Sequence, residues 1–173
     1  PCLLPVLLPR LILIGMALSL AGWLYWLGKQ PAGWQRGKTL IAAHWPEIAC
    51  GAAALILYLF TLAPGVLAAD AGEYQLVAAE WGVAHPPGYA LYTLLAGGFV
   101  HLIPLASAAW KVNALSAILS ALGIALLVYT VRQETGSPAA GIISGGLLMV
   151  SASFWMSATQ ASVRPLTALF ALL

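Results

Sequence analysis

Apolar runs divide this chain, and its few charged residues collect in the gaps between them. Leu11 to Leu27 is apolar or small over roughly 17 residues, near the lower limit for a helix that crosses a bilayer, and Trp23, Tyr25 and Trp26 form an aromatic belt at its end. Ile48 to Ala69 carries no charge over roughly 22 residues, enough for one crossing. Pro64-Gly65 predicts the end of that helix, because proline lacks a backbone donor and clashes with the preceding turn. Three more membrane segments are predicted at Tyr89–Leu105, Val112–Val131 and Gly141–Met156, and Pro165 to Leu173 begins another. Between the second and third runs, Tyr74, Val77, Ala78 and Trp81 recur at i, i+3, i+4 and i+7, with Glu73 and Glu80 on the opposite side. That pattern predicts a short amphipathic helix over 71–81, lying on the membrane surface and ended by Gly82. His85-Pro86-Pro87-Gly88-Tyr89 then reads as an extended Pro-Pro stretch with a Pro-Gly turn that leads back into the membrane.

Composition agrees with a polytopic membrane protein. The chain is 62% hydrophobic and 7% charged, against roughly 25% charged in a soluble domain. Its net charge of +2 is a small difference between small numbers and says nothing about nucleic acid, but no basic run of five or more residues is present to bind it. Cys2 and Cys50 lie in apolar surroundings without metal-ligand spacing, so neither a disulfide nor a zinc site is expected. The placement of charge is more informative than its sum. Lys29, Arg36 and Lys38 share one short loop, which the positive-inside rule puts in the cytoplasm, so the loop after the next run lies outside. Counting every run as a crossing then brings Arg132 outside as well, where a lone arginine is disfavoured; a re-entrant or half-spanning segment within 89–131 is the alternative. Small residues such as Gly97, Gly98, Gly145 and Gly146 predict close helix packing. The chain divides into residues 1–39, a transmembrane helix with its cytoplasmic loop, and 40–173, a multi-helix region. Starting at Pro1 and stopping at Leu173 inside an apolar run, it reads as the N-terminal part of a longer protein.

The outward loop holds the candidate chemistry. Three of the five carboxylates, Asp70, Glu73 and Glu80, lie there, with no Lys or Arg from Thr39 to Trp110. Asp70 and Glu73 have an ordinary structural explanation as a capping box, Asp70 as N-cap and Glu73 as its reciprocal partner. Gly72 in the first turn is poor for a helix that need only be stable, but it would let backbone approach a ligand. In the functional reading, Asp70 accepts a proton from a hydroxyl acceptor during transfer from a lipid-linked donor. The phosphate leaving group then needs cations, for which His85, Lys111, Arg132 and Arg164 are candidates. No metal is assigned, since two carboxylates are weak evidence for a site; a divalent cation between Asp70 and Glu73 stays open. His44, His101 and Glu47 read as interfacial residues.

The stretch YLFTLAPGVLAADAGEYQLVAAEWGVAHPPGYALYTLL, Tyr58 to Leu95, resembles the signature of a large membrane family related to protein O-mannosyltransferases, within the GT-C glycosyltransferase superfamily. WKVNALSAILSALGIALLVY and FWMSATQASVRPLTALFAL are similar to the family's next two blocks. The resemblance implies an all-α polytopic bundle of GT-C type, with the amphipathic helix in its first outward loop. It implies a polyprenyl-phosphate sugar donor, a protein or glycan hydroxyl acceptor, and a multi-pass enzyme that works on the non-cytoplasmic side, of the plasma membrane if bacterial. Asp70 matches the catalytic loop acid and Glu73 its companion. His85, Pro86, Pro87, Gly88 and Tyr89 match the motif at the return to the membrane, and Lys111, Asn113 and Arg164 complete the implied substrate contacts. Two positions depart from the pattern: Ala90 replaces a proline, and Ser162 stands where the last block carries a glutamate. The rival readings are a transporter or channel with an acidic outer vestibule, and a non-catalytic scaffold.

Overall fold

A computed structural model of the chain describes residues 42–104 and 106–173. The helix expected at Leu11–Leu27 and the basic loop Lys29–Lys38 lie outside the described residues. Seven helices and no strand occur among those described: α1 (Trp45–Phe60), α2 (Ala69–Glu80), α3 (Ala90–Leu102), α4 (Ala108–Thr135), α5 (Pro138–Val150), α6 (Ala152–Ala158) and α7 (Arg164–Ala171). The all-α expectation holds.

Local chemistry sets several boundaries. The Ser107 hydroxyl accepts the Trp110 amide hydrogen bond (3.2 Å) to open α4, and Gly136 closes that helix in the left-handed conformation. Ser137 and Pro138 start α5 immediately afterwards, the hydroxyl capping the Ala140 amide. Other boundaries differ from expectation. α1 stops at Phe60, ahead of Pro64, because the following loop is tied elsewhere: the Ala63 amide donates to the Thr159 carbonyl (3.0 Å). The run Gly141–Met156 is not one straight helix but α5 and α6, bent by 71° at Ser151.

α4 organises the rest. It is 28 residues long, about 42 Å at 1.5 Å per residue, and packs against each of the other six described helices. Its N-terminal half and its C-terminal half serve two separate cores. Val112, Leu115 and Leu119 join Tyr74, Val77 and Ala78 of α2, Tyr92, Ala96 and Val100 of α3, and Leu166 of α7. Ala117, Ala121, Ile124 and Val128 join Ala54 and Tyr58 of α1 and Ala158 of α6. Of the glycines expected to permit close packing, Gly97 faces the Trp81 ring and Gly145 faces Val128, where a side chain would collide; Gly98 and Gly146 face open space.

α1 and α4 are antiparallel: Arg132 near the end of α4 pairs with Glu47 in the first turn of α1 (2.9 Å), while Asn113 near the start of α4 bonds the Ala63 carbonyl just beyond α1. α3, 13 residues and about 20 Å long, packs only on the N-terminal half of α4, short of the ~30 Å of a hydrocarbon core. Among the described helices it does not carry the chain to the other end of α4. Arg132 therefore lies at the end opposite Asp70. By length and apolarity, α4 is the one described helix that could cross a membrane, with a second span among the described residues if the bent α5–α6 pair counts as one.

Candidate functional site

The site is built from the first turn of α2 outward. No capping box forms there: the N-cap is Ala68, with no side-chain cap, and Asp70 sits inside the helix. The loop is instead fastened from below, by the Leu67 amide donating to Gln75 Oε1 (3.0 Å). Gly72 serves this arrangement, since a Cβ there would collide with the Leu67 carbonyl oxygen. The close backbone approach expected of Gly72 is thus made by the chain's own loop. Asp70 is left exposed, with no hydrogen bond or ion pair among the described residues.

Glu73 is committed differently. One carboxylate oxygen accepts the His85 backbone amide and the other meets His85 Nδ1, each at 2.6 Å. The imidazole hydrogen bond, then the amide, hold the Glu73 carboxyl below its usual range, and the same carboxylate holds His85 above its own. The turn expected at Pro-Gly forms, but it starts already at His85 and takes in the Pro-Pro pair expected to be extended: the Gly88 amide donates to the His85 carbonyl (2.8 Å) across a cis Pro86–Pro87 bond. Pro86, Pro87 and Gly88 thereby join His85 to Tyr89. Tyr89 is left-handed (φ 44°), as is Ala69 (φ 56°), beside Asp70. Such non-glycine residues cost about 1–3 kcal/mol each and persist only where packing fixes them. Here the packing is aromatic, Tyr74 standing edge-on to both Tyr89 (5.7 Å) and Tyr92 (5.4 Å).

These elements enclose a polar chamber of about 180 Å³. Asp70, Ala71, Tyr74 and Tyr89 line one side, and the stretch from Gln160 to Arg164 lines the other. Next to it lies an apolar groove of about 230 Å³ between α3 and α7, which shares Tyr89 and Val163 with the chamber. A larger groove of about 300 Å³ runs between α1 and α4, but it is almost wholly apolar and away from Asp70.

Of the candidate cations, Arg164 lines the chamber, with no partner for its guanidinium among the described residues, and His85 flanks it through Tyr89. Lys111 and Asn113 are not brought to it. Lys111 is buried, its Nζ donating to the Val100 and Ile103 carbonyls (2.6 and 3.0 Å) as a cap on α3. Asn113 is fully buried under the chamber. Arg132 pairs with Glu47, which is buried rather than interfacial, and His101 stacks on Trp81 at 4.9 Å. Ser162 forms part of the wall, its amide held by Tyr92 Oη (3.0 Å) and Ser116 Oγ (3.1 Å). Tyr74, Gln160, Gln75 and Tyr92 were missed by sequence reasoning, the first because its helical spacing marks it as core. Asp70, Glu73 and His85 can each offer a ligand atom, all within 4.8 Å of one another, a mixed oxygen and nitrogen set that fits a divalent cation.

Residues 70–173 match the family described as the protein O-mannosyl-transferase TMEM260 N-terminal domain, and the chain belongs to that family. It is 39% identical over 124 residues to the protein O-mannosyl-transferase TMEM260 of Mus musculus, covering 72% of this chain and 18% of that protein. It is 35% identical over 117 residues to the corresponding Dictyostelium discoideum protein, covering 66% of this chain and 14% of that protein. The chain thus spans less than a fifth of the length of these relatives. No solved structure matches it.

Proposed function

We propose that this chain carries the catalytic acid of a GT-C-type, polytopic membrane glycosyltransferase, which transfers a hexose such as mannose from a polyprenyl phosphate to a hydroxyl of a protein or glycan. The observation that supports this best is the pairing of an unpartnered Asp70 carboxylate with the Arg164 guanidinium across one polar chamber, beside an apolar groove. A ligand with a charged head and a hydrocarbon tail suits that pair of spaces. The names of the mouse and Dictyostelium relatives support mannose and a protein acceptor.

In this reading the acceptor oxygen attacks the anomeric carbon while Asp70 takes its proton, and the bond from that carbon to the phosphate oxygen breaks with both electrons leaving on the phosphate. Arg164 stabilises the departing phosphate, with His85 beside it as a second donor. A single displacement inverts the sugar. Glu73 holds His85 through both carboxylate oxygens, and Tyr74 and Tyr89 supply apolar faces for the sugar. A divalent cation, if used, is held by Asp70, Glu73 and His85 and supplies further positive charge for the phosphate. The site faces the non-cytoplasmic side, with the end of α4 at Arg132 in the cytoplasm, which satisfies the positive-inside rule.

The test is transfer of radiolabelled mannose or glucose from its polyprenyl phosphate into membranes that carry the full-length protein. Asp70→Asn at matched expression is expected to lose on the order of 10²–10⁴-fold, the usual share of a general base. Transfer that is unchanged by Asp70→Asn overturns the assignment of the base. No transfer from either donor by folded wild type overturns the donor and favours the scaffold reading.

A further inference from the structure

We propose that Asn113 and Gln75 are positioning residues that fix the two walls of the chamber relative to each other, an inference that rests on the glycosyltransferase reading above. One amide oxygen carries both walls. Asn113 Oδ1 accepts the Gln75 Nε2 hydrogen bond (2.9 Å) from α2, the helix of Asp70, and the Ala161 amide (2.8 Å) from the stretch that ends at Arg164. Asn113 Nδ2 donates to the Ala63 carbonyl (2.8 Å), and Gln75 Oε1 accepts the Leu67 amide (3.0 Å), so the loop that leads into α2 is tied to the same point.

Burial makes this pair more than one packing contact among many. Asn113 is 0% and Gln75 3% exposed. Leucine at 113 would extend the apolar surface of Val112 and Leu115 on α4, so a buried amide there is a poor choice for packing and a good one for joining two separate backbone stretches and the Gln75 side chain. One helical turn further along, Ser116 and Tyr92 hold the next amide, Ser162, on the same face of α4. Two successive amides of the Arg164 wall are therefore pinned to α4, but only Asn113 also grips the Asp70 wall. Neither side chain lines the chamber, so both act through Asp70 and Arg164.

Gln75→Met keeps length and removes the clasp. In the full-length protein assayed with polyprenyl-phosphate mannose, it is expected to lower kcat per folded molecule about 10–100-fold, with donor KM within about threefold, because a displacement near 1 Å costs that much when binding is retained. In an Asp70→Asn background the same change is expected to have a smaller further effect, since only the placement of Arg164 is left to disturb. Gly145→Ala, which disturbs α4 against α5 away from the chamber, controls for lost stability and leaves kcat per folded molecule unchanged. Unchanged kcat in Gln75→Met, or a full-sized loss in the Asp70→Asn background, overturns the proposal. A second measurement does not depend on activity and separates this proposal from the donor reading. Spin labels on Leu76→Cys of α2 and Phe170→Cys of α7, both exposed, with Cys2 and Cys50 replaced by serine, report the spacing of the walls. A narrow distance distribution that broadens in Gln75→Met and Asn113→Leu supports the clasp even if wild type transfers nothing; equal distributions overturn it.

Discussion

At the scale of single residues, the outward loop contains two carboxylates that differ in what they are free to do. Glu73 is engaged by both hydrogen-bond donors of His85, whereas Asp70 makes no hydrogen bond or ion pair among the described residues. The pair has a predictable pH window. His85 is raised above its ordinary 6.5 chiefly by the Glu73 hydrogen bond, so its contribution is complete below that pH and is lost as pH rises through the raised value. Glu73 is lowered below its ordinary 4.5 chiefly by the His85 ring, so its contribution is complete above that pH and is lost as pH falls through the lowered value. The clamp is strongest between pH 4.5 and 6.5. Side-chain exposures of 41% for His85 and 34% for Glu73 keep its effect on global stability small. An NMR titration of His85 in EDTA is expected to give a midpoint above 6.5 that falls in Glu73→Gln; an unmoved midpoint argues against the clamp.

At the scale of elements, α2 can present Asp70 because its entry loop lies flat against the first turn. Gly72→Ala pushes a methyl into the Leu67 carbonyl and is expected to cost about 1–3 kcal/mol, read as a fall in Tm, with Gly98→Ala as a neutral surface comparison. α3 depends on a cation from another helix. Replacing Lys111 with methionine removes both bonds to the last carbonyls of α3 and is expected to cost up to about 2 kcal/mol while sparing transfer per folded molecule. A donor KM that rises in this variant would return Lys111 to the substrate.

At the scale of the whole molecule, two cores share one long helix, and the chamber sits over only one of them. The antiparallel pairing of α1 and α4 separates Asp70 from Arg132 by the length of α4. Single cysteines at Ala68 and Glu134, both exposed, are therefore expected to react with a membrane-impermeant reagent from opposite sides of sealed vesicles. Labelling from the same side would require α3 to cross after all.

The sequence by itself determined the helical class, the long apolar run that became α4, and the buried positions Tyr74, Val77 and Ala78 of α2, while its resemblance to a known family put His85 and Tyr89 with Asp70 and Glu73. Tertiary structure decided the remainder. Apolar periodicity reports that a segment is buried but not how far along a partner it reaches, so the partial reach of α3 could not be read from Tyr89–Leu105. A capping box and a clamp to His85 compete for the same Glu73 carboxylate, and only the path of the loop across Gly72 chose between them. Arg164 and Arg132 are equivalent as isolated cations; the fold brought one to Asp70 and gave the other to Glu47. The clasp of Asn113 with Gln75 spans 38 positions of sequence and leaves no local pattern, because the two side chains meet only once α2 packs on α4, and their other partners at Ala63, Leu67 and Ala161 are ordinary backbone groups.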